Sequence, residues 1–240
     1  MKTRTILMSM AFIGLFSAFA TAQSKTATEK PAAVIAEPAK AAIPNPGKTK
    51  VKITTSMGVI IVRLYDATPK HRDNFIKLVQ QGFYDSLLFH RIIENFMIQG
   101  GDPLSKNAAP GEMLGEGGGD MERIPAEFNS NLIHKKGALC AARDGNPEKA
   151  SSACQFYIVQ GKPSTNEELD MIAQQNGTKY TVEQKKIYTT IGGTPFLDMS
   201  YTVFGEVVSG IEVVNKIASA QKESSDRPKT DIRMKMEILK

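Results

Sequence analysis

Three histidines and two cysteines are all that 240 residues offer toward the usual nucleophilic and metal chemistries. Neither Cys140 nor Cys154 has the flanking signature of a thiol hydrolase, and no G-x-S-x-G elbow occurs. No Cys/His pair has metal-ligand spacing, so a bound metal is not expected. The glycine-rich "GEGGGD" lacks a following Lys-Ser/Thr and does not open a helix, which removes a phosphate loop. No internal repeat is present, and no apolar run reaches the roughly 20 residues of a membrane span. What chemistry there is must come from other residues.

Charge is also scarce once it is partitioned. Residues 1–50 carry seven Lys and Arg against two Asp and Glu, and the remaining 23 basic and 23 acidic residues cancel. The sequence pI near 9.1 therefore belongs to the N-terminal stretch, and the rest has no basic footprint for nucleic acid. That stretch begins with Lys2 and Arg4, continues with an apolar run from Ile6 to Ala20, and ends in Ala20-Thr21-Ala22. This is the pattern of a secretory signal over residues 1–22, cleaved after Ala22, and it predicts a periplasmic or secreted protein with no transmembrane segment after cleavage. Residues 23–49, rich in Ala, Pro and Lys, have no periodic apolar face and read as a linker. A single domain is expected over residues 50–240, long enough for one core. Both cysteines lie in apolar strand-like runs, where cysteine serves as a small hydrophobe, and their spacing leaves a disulfide open.

Within the domain, "VKITTSMGVIIVRLY" predicts two strands meeting at Ser56-Met57-Gly58. "ATPKHRDNFIKLVQQG" predicts a helix capped by Thr68, with Pro69 in its first turn, Gly82 at its end and Phe75, Leu78 and Val79 on its core face. His71 falls on the face that reads as exposed. "GALCAAR", "QFYIVQG", "YTVFGEVV" and "DIRMKMEILK" read as further strands and "GIEVVNKIA" as a second helix. Many short strands with two core helices suggest a closed sheet, since closure removes exposed edges. Residues 165–189 break the rhythm with two short polar helices. Their expected caps are Thr165 or Asn166, and Thr181 with Gln184 three residues on. This segment reads as a surface excursion rather than core.

The stretch that carries chemistry is "FHRIIENFMIQGGD", residues 89–102. Strand parity sends Arg91 and Ile93 to one face and His90 and Ile92 to the other. After a turn at Glu94-Asn95, Met97 and Gln99 share a face, which brings Arg91 opposite Gln99 over an apolar floor. Asp102, after two glycines, is expected to fix a turn. His134 and Lys135 read as loop residues. Taken alone, the pattern is only suggestive, because a solvent-facing arginine is the commoner case.

This hairpin resembles the signature of the cyclophilins, the cyclosporin-binding type of peptidyl-prolyl cis-trans isomerase. "GALCAAR…SSACQFYIV" is similar to their second active-site segment and "TPFLDMSYTVFGEVVSGIEVVNKIA" to their third. The resemblance implies a mainly β fold: a closed eight-stranded antiparallel β-barrel capped by two α-helices, here with a small helical insertion. It places the catalytic arginine on Arg91 with Gln99 beside it, and the substrate pocket on Phe96, Met97, Gln155, Tyr157 and Leu197. The segment whose backbone pairs with substrate falls on Ala142, Arg143 and Asp144. Phe196 stands where many eukaryotic members have tryptophan, and Tyr201 where they have histidine; these departures resemble bacterial members. The implied partners are proline-containing peptides and unfolded exported proteins, handled by a monomer without a cofactor. A proline-peptide binding module with little catalysis, using the 165–189 segment for partners, is the other reading.

Isomerase chemistry suits so sparse a set of reactive residues. Rotation about an X-Pro bond is slow because amide resonance imposes a barrier of roughly 18–20 kcal/mol. No nucleophile is needed. The catalyst has only to favour the twisted state, in which the prolyl nitrogen regains a lone pair that a fixed guanidinium can approach.

Overall fold

The computed structural model describes residues 46–239. The expected signal at 1–22 and nearly all of the expected linker lie outside these residues. Eight strands follow in chain order: β1 (Pro46–Thr55), β2 (Gly58–Tyr65), β3 (Phe89–Ile93), β4 (Met97–Gly100), β5 (Ala138–Ala141), β6 (Phe156–Val159), β7 (Val203–Ser209) and β8 (Met234–Leu239). Four α-helices accompany them: α1 (Pro69–Gln80), α2 (Asn166–Asn176), α3 (Val182–Thr190) and α4 (Ile211–Ala218). The two helices expected over the core are α1, packed on β2, β7 and β8, and α4, packed on β2, β3 and β4. The other two form the insertion.

All strands join one antiparallel sheet in the order β3-β4-β6-β5-β7-β2-β1-β8. The expected closed barrel is not what forms. The sheet is an open, curled half-barrel whose edges stand 7 Å apart, beyond the roughly 4.8 Å of hydrogen-bonded neighbours. The two edges touch around an isolated bridge, Leu88 with Arg233, just before each strand proper begins, where Phe89 N–H donates to Ile232 C=O at 2.9 Å and Met234 N–H to Leu87 C=O at 2.8 Å. Beyond it β3 turns to the C-terminal loop instead: Ile92 N–H donates to Asp226 C=O at 2.9 Å. With its edge groups taken by that loop, β3 has no ladder to offer β8.

Alternation builds the interior. Val51 and Ile53 of β1 and Ile60, Val62 and Leu64 of β2 are fully buried, one residue in two, around the predicted Ser56-Met57 turn. Gly58 ends that turn at φ +138°, and a Cβ there would come 2.7 Å from Val213 of α4. Phe75, Leu78 and Val79 of α1 face the core as expected, with Phe75 at the centre of an aromatic cluster with Tyr84, Phe156 and Phe204.

Two expectations for α1 fail for one reason. Thr68 occupies the N-cap position, but its hydroxyl makes no capping bond. The carboxylate of Glu127, 56 residues on, caps the helix instead, accepting from Lys70 N–H at 3.1 Å and His71 N–H at 3.0 Å. The same carboxylate holds His71 Nδ1 at 2.7 Å while Ser151 Oγ meets Nε2 at 2.9 Å, so His71 is buried rather than exposed. A buried imidazole needs such partners.

The insertion forms the expected capping box of Thr181 with Gln184, and of the two candidate caps for its first helix Thr165 is the one used, in a second box with Glu168. It is less superficial than its polarity suggests. Leu169 and Tyr188 are fully buried and pack with Ile133 into a separate small core. Among the described residues no helix is long and apolar enough to cross a membrane.

Candidate active site

A single rung across the sheet assembles the polar hairpin residues. Arg91 of β3 pairs with Gln99 of β4, Gln99 with Tyr157 of β6, and Tyr157 with Cys140 of β5. Residues opposite one another on neighbouring strands share a face. The alternate residues, Ile92, Ile98, Phe156 and Leu139, fill the main core. The rung therefore looks out from the other face, over an apolar bed of Met97, Cys140, Ala142, Tyr157 and Val203. The predicted meeting of Arg91 and Gln99 is observed in register.

Above this bed lies a cavity of about 180 Å³ lined by Arg91, Phe96, Met97, Gln99, Ala142, Arg143, Tyr157, Leu197 and Tyr201. Every lining residue is one that the sequence singled out. The three remaining predicted residues sit just outside. Asp144 and Gln155 line an adjoining cavity of about 280 Å³ bounded by the glycine-rich loop. Phe196 is half-exposed at the rim, its ring 5.7 Å from that of Phe96.

A chain of amides orients the polar wall. Gln155 Nε2 donates to the carbonyls of Gly115 and Gly117 at 2.8 and 2.9 Å, and Gln155 Oε1 accepts from Gln99 Nε2 at 3.0 Å. This leaves Gln99 Oε1 facing Arg91 Nη1 at 3.4 Å. Arg91 is steered from its other side by Asp226, whose Oδ2 lies 3.9 Å from Nε and whose Oδ1 binds Lys222 at 2.6 Å. The Arg91 side chain is 43% exposed, so it keeps solvent access and a direction without a tight ion pair.

Arg143 is expected to act mainly through its backbone, and its side chain also takes part in the site. Its side chain folds across the cavity: Nε donates to Ser200 C=O at 3.0 Å, and the guanidinium lies 4.6 Å over the Tyr201 ring. Its backbone N–H and C=O have no hydrogen-bond partner among the described residues. Ala142, by contrast, has both groups engaged, with Gln155 C=O and Ser152 N–H. Arg143 is thus the position where an extended peptide can add main-chain bonds.

Burial pushes the Tyr157 phenol well up, helped by Cys140, so it remains an O–H donor. That donor meets His134 Nε2 at 3.0 Å. His134 lies in a loop as expected, but it is fully buried, with Nδ1 2.7 Å from Asp198 Oδ1. Both cysteines are free and buried, Cys140 under the cavity and Cys154 in the main core, and burial raises both thiols. Asp102 fixes its turn as expected, accepting from Leu104 N–H at 2.8 Å and from Gly115 N–H. Sequence reasoning missed His134, Asp198, Asp226 and the two glycine carbonyls, since no local spacing announces partners this distant.

His90 points away from the cavity into the core, 3% exposed, and neither ring nitrogen has a partner among the described residues. Burial pulls its pKa down from 6.5 to about 4, only partly opposed by Asp102. Between these values the unfolded chain takes up a proton that the folded chain refuses, so acid favours unfolding. Denaturant titrations should show a loss on the order of 2 kcal/mol from pH 7 to pH 5, and His90→Leu should remove most of that slope. An unchanged slope in the variant would assign the acid lability elsewhere.

The comparisons with known proteins agree on one family. The family described as "Cyclophilin type peptidyl-prolyl cis-trans isomerase/CLD" matches residues 50–237. A Staphylococcus aureus (strain USA300) protein that carries the name of a peptidyl-prolyl cis-trans isomerase is 35% identical over 187 residues, 78% of this chain and 89% of its own length. The crystal structure of a cyclophilin type peptidyl-prolyl cis-trans isomerase of Cryptosporidium parvum superposes with a TM-score of 0.60 at 24% identity, covering 80% of this chain and 98% of that one. The same protein crystallised in the presence of the dipeptide Ala-Pro gives 0.56 at 23% identity, over 79% and 97%. With no nucleophile at the cavity but a steered guanidinium over an apolar bed, the chain belongs to the cyclophilin type peptidyl-prolyl cis-trans isomerases and catalyses rotation about X-Pro peptide bonds.

Proposed function

We propose that the protein is a bacterial isomerase exported by its N-terminal signal, which assists the folding of exported proteins as a monomer without a cofactor. In this reading the proline ring enters the 180 Å³ cavity and rests against Phe96, Met97, Tyr157 and Leu197, with Tyr201 closing one side. Ala142 completes the floor, and Phe196 extends the rim over the residue that follows. Gln99 and the free backbone of Arg143 hold the peptide on one side of the bond while the other side turns. Gln155 acts on Gln99 and bounds the adjoining cavity, which receives the residues before the proline.

Arg91 is the catalytic donor. As the amide twists, conjugation is lost and the prolyl nitrogen becomes basic. A guanidinium stays charged at every relevant pH, and its attraction to that nitrogen is stronger in the twisted state than in either planar isomer. That difference is the condition for acceleration. The observation that carries this reading is one cavity holding both the steered Arg91 side chain and an apolar bed of proline size.

Export is supported by the charged start, short apolar run and Ala-Thr-Ala site at the N-terminus, and a bacterial source by the bacterial relative. Fractionation of cells expressing the full chain tests it. The mature protein should begin at Gln23 and lie outside the cytoplasm, where it speeds refolding of a proline-limited exported substrate. A chain that keeps Met1 and stays in the cytoplasm would overturn the export reading.

A further inference from the structure

The Asp198 carboxylate is 5% exposed and accepts from four donors. Oδ1 takes His134 N–H at 2.8 Å and His134 Nδ1 at 2.7 Å; Oδ2 takes the Tyr188 hydroxyl at 2.6 Å and the Tyr180 hydroxyl at 3.0 Å. A carboxylate only accepts, so Nδ1 of His134 carries the shared proton. In the neutral ring Nε2 is then left to accept from Tyr157, whose ring walls the proline cavity. The second wall has the same anchor, because Asp198 directly follows Leu197. Tyr180 also reaches Pro195 C=O, two residues before Leu197, at 3.0 Å. Tyr188 belongs to α3, and Tyr180 to the segment joining α2 and α3. Two walls of the cavity are therefore tied, through one carboxylate, to the helical insertion.

We propose that the insertion is a positioning device for the isomerase site: Tyr180 and Tyr188 fix Asp198, which fixes Leu197 directly and Tyr157 through His134. It sets how tightly proline is held. His134, Asp198, Tyr180 and Tyr188 are positioning residues and touch no substrate. The inference rests on the reading of this cavity as the proline slot.

A double-mutant cycle on the full chain tests it. Tyr180→Phe with Tyr188→Phe keeps both rings and removes only the two hydroxyls from Oδ2. It should lower kcat/KM roughly tenfold, mainly through KM, because small misplacements at a binding wall are costly. In a Tyr157→Phe background the link to that wall is already cut, and the same pair of changes should cost no more than about threefold, the remainder acting through Leu197. The labelled hydroxyl-bearing ring carbon of Tyr157 should also shift when the two distant hydroxyls are removed. Equal losses in both backgrounds, with no shift at Tyr157, would overturn the proposal and leave the insertion a merely structural element. If the pair does not fold, Tyr188→Phe alone, which leaves the Tyr180 hydroxyl on Oδ2, carries the same cycle. Phe96→Ala separates the two levels. No rise in KM there would sink the slot reading itself, whereas a rise with an additive cycle sinks only the coupling.

Discussion

Replacing Arg91 with alanine lowers kcat/KM for an X-Pro peptide by about 100-fold or more, some 2.7 kcal/mol of transition-state stabilisation, and leaves the fold intact. The fold should survive because the side chain is 43% exposed and its guanidinium makes only a 3.4 Å contact with Gln99 and a 3.9 Å approach to Asp226. Nothing buried is orphaned by its loss. Arg91→Lys should recover little. A lysine keeps the charge but not the planar fork that reaches Gln99 and the prolyl nitrogen together. A protease-coupled isomerase assay with circular dichroism on the same samples checks both halves. Full activity in a folded Arg91→Ala protein would remove this residue from the mechanism.

Tyr157→Ala attacks the slot instead of the donor, and it should harm both stability and turnover. The ring is 4% exposed and packs between His134 and Tyr201 with centroid distances of 6.2 and 6.0 Å. Emptying such a site costs roughly 3 kcal/mol of stability, with the hydroxyl acceptor His134 Nε2 left unpaired in addition. The value of kcat/KM should fall about 30-fold, or about 2 kcal/mol, through a raised KM, since the pyrrolidine ring loses one wall while Arg91 keeps its place. A denaturant midpoint that drops while KM stays constant would show Tyr157 to be core only. The contrast between the two variants is the useful part: one should act mainly on kcat, the other mainly on KM.

How much of this was legible in the sequence depended on how local each feature is. The hairpin pairing of Arg91 with Gln99 follows from strand parity across a short turn, and the structure reproduces it. The Thr181–Gln184 capping box of the insertion spans three residues and was equally legible. The burial of His71 and His134 was not, because their partners Glu127 and Asp198 lie 56 and 64 residues away. Separation in sequence also hid the Glu127 cap of α1 and the still more distant Asp226 contact with Arg91. Sheet closure was misjudged for a related reason. Strand count favours a barrel, but whether β3 meets β8 is decided by the C-terminal loop that takes the β3 edge. The polar appearance of residues 165–189 hid two large apolar contributions, Leu169 and Tyr188, because helical periodicity over so few residues gives a weak stripe.

The central claim is that Arg91 binds the twisted amide better than either planar isomer, and exchange spectroscopy on a bound X-Pro peptide tests it most directly. With wild-type and Arg91→Ala protein, the cis–trans exchange rate of the bound peptide and its Kd are measured on the same samples. The account predicts a bound exchange rate lowered about 100-fold with a Kd changed by less than about threefold, the signature of an interaction made in the transition state. An unchanged bound rate with a Kd weakened in proportion to the lost activity would contradict it and make Arg91 a binding residue only.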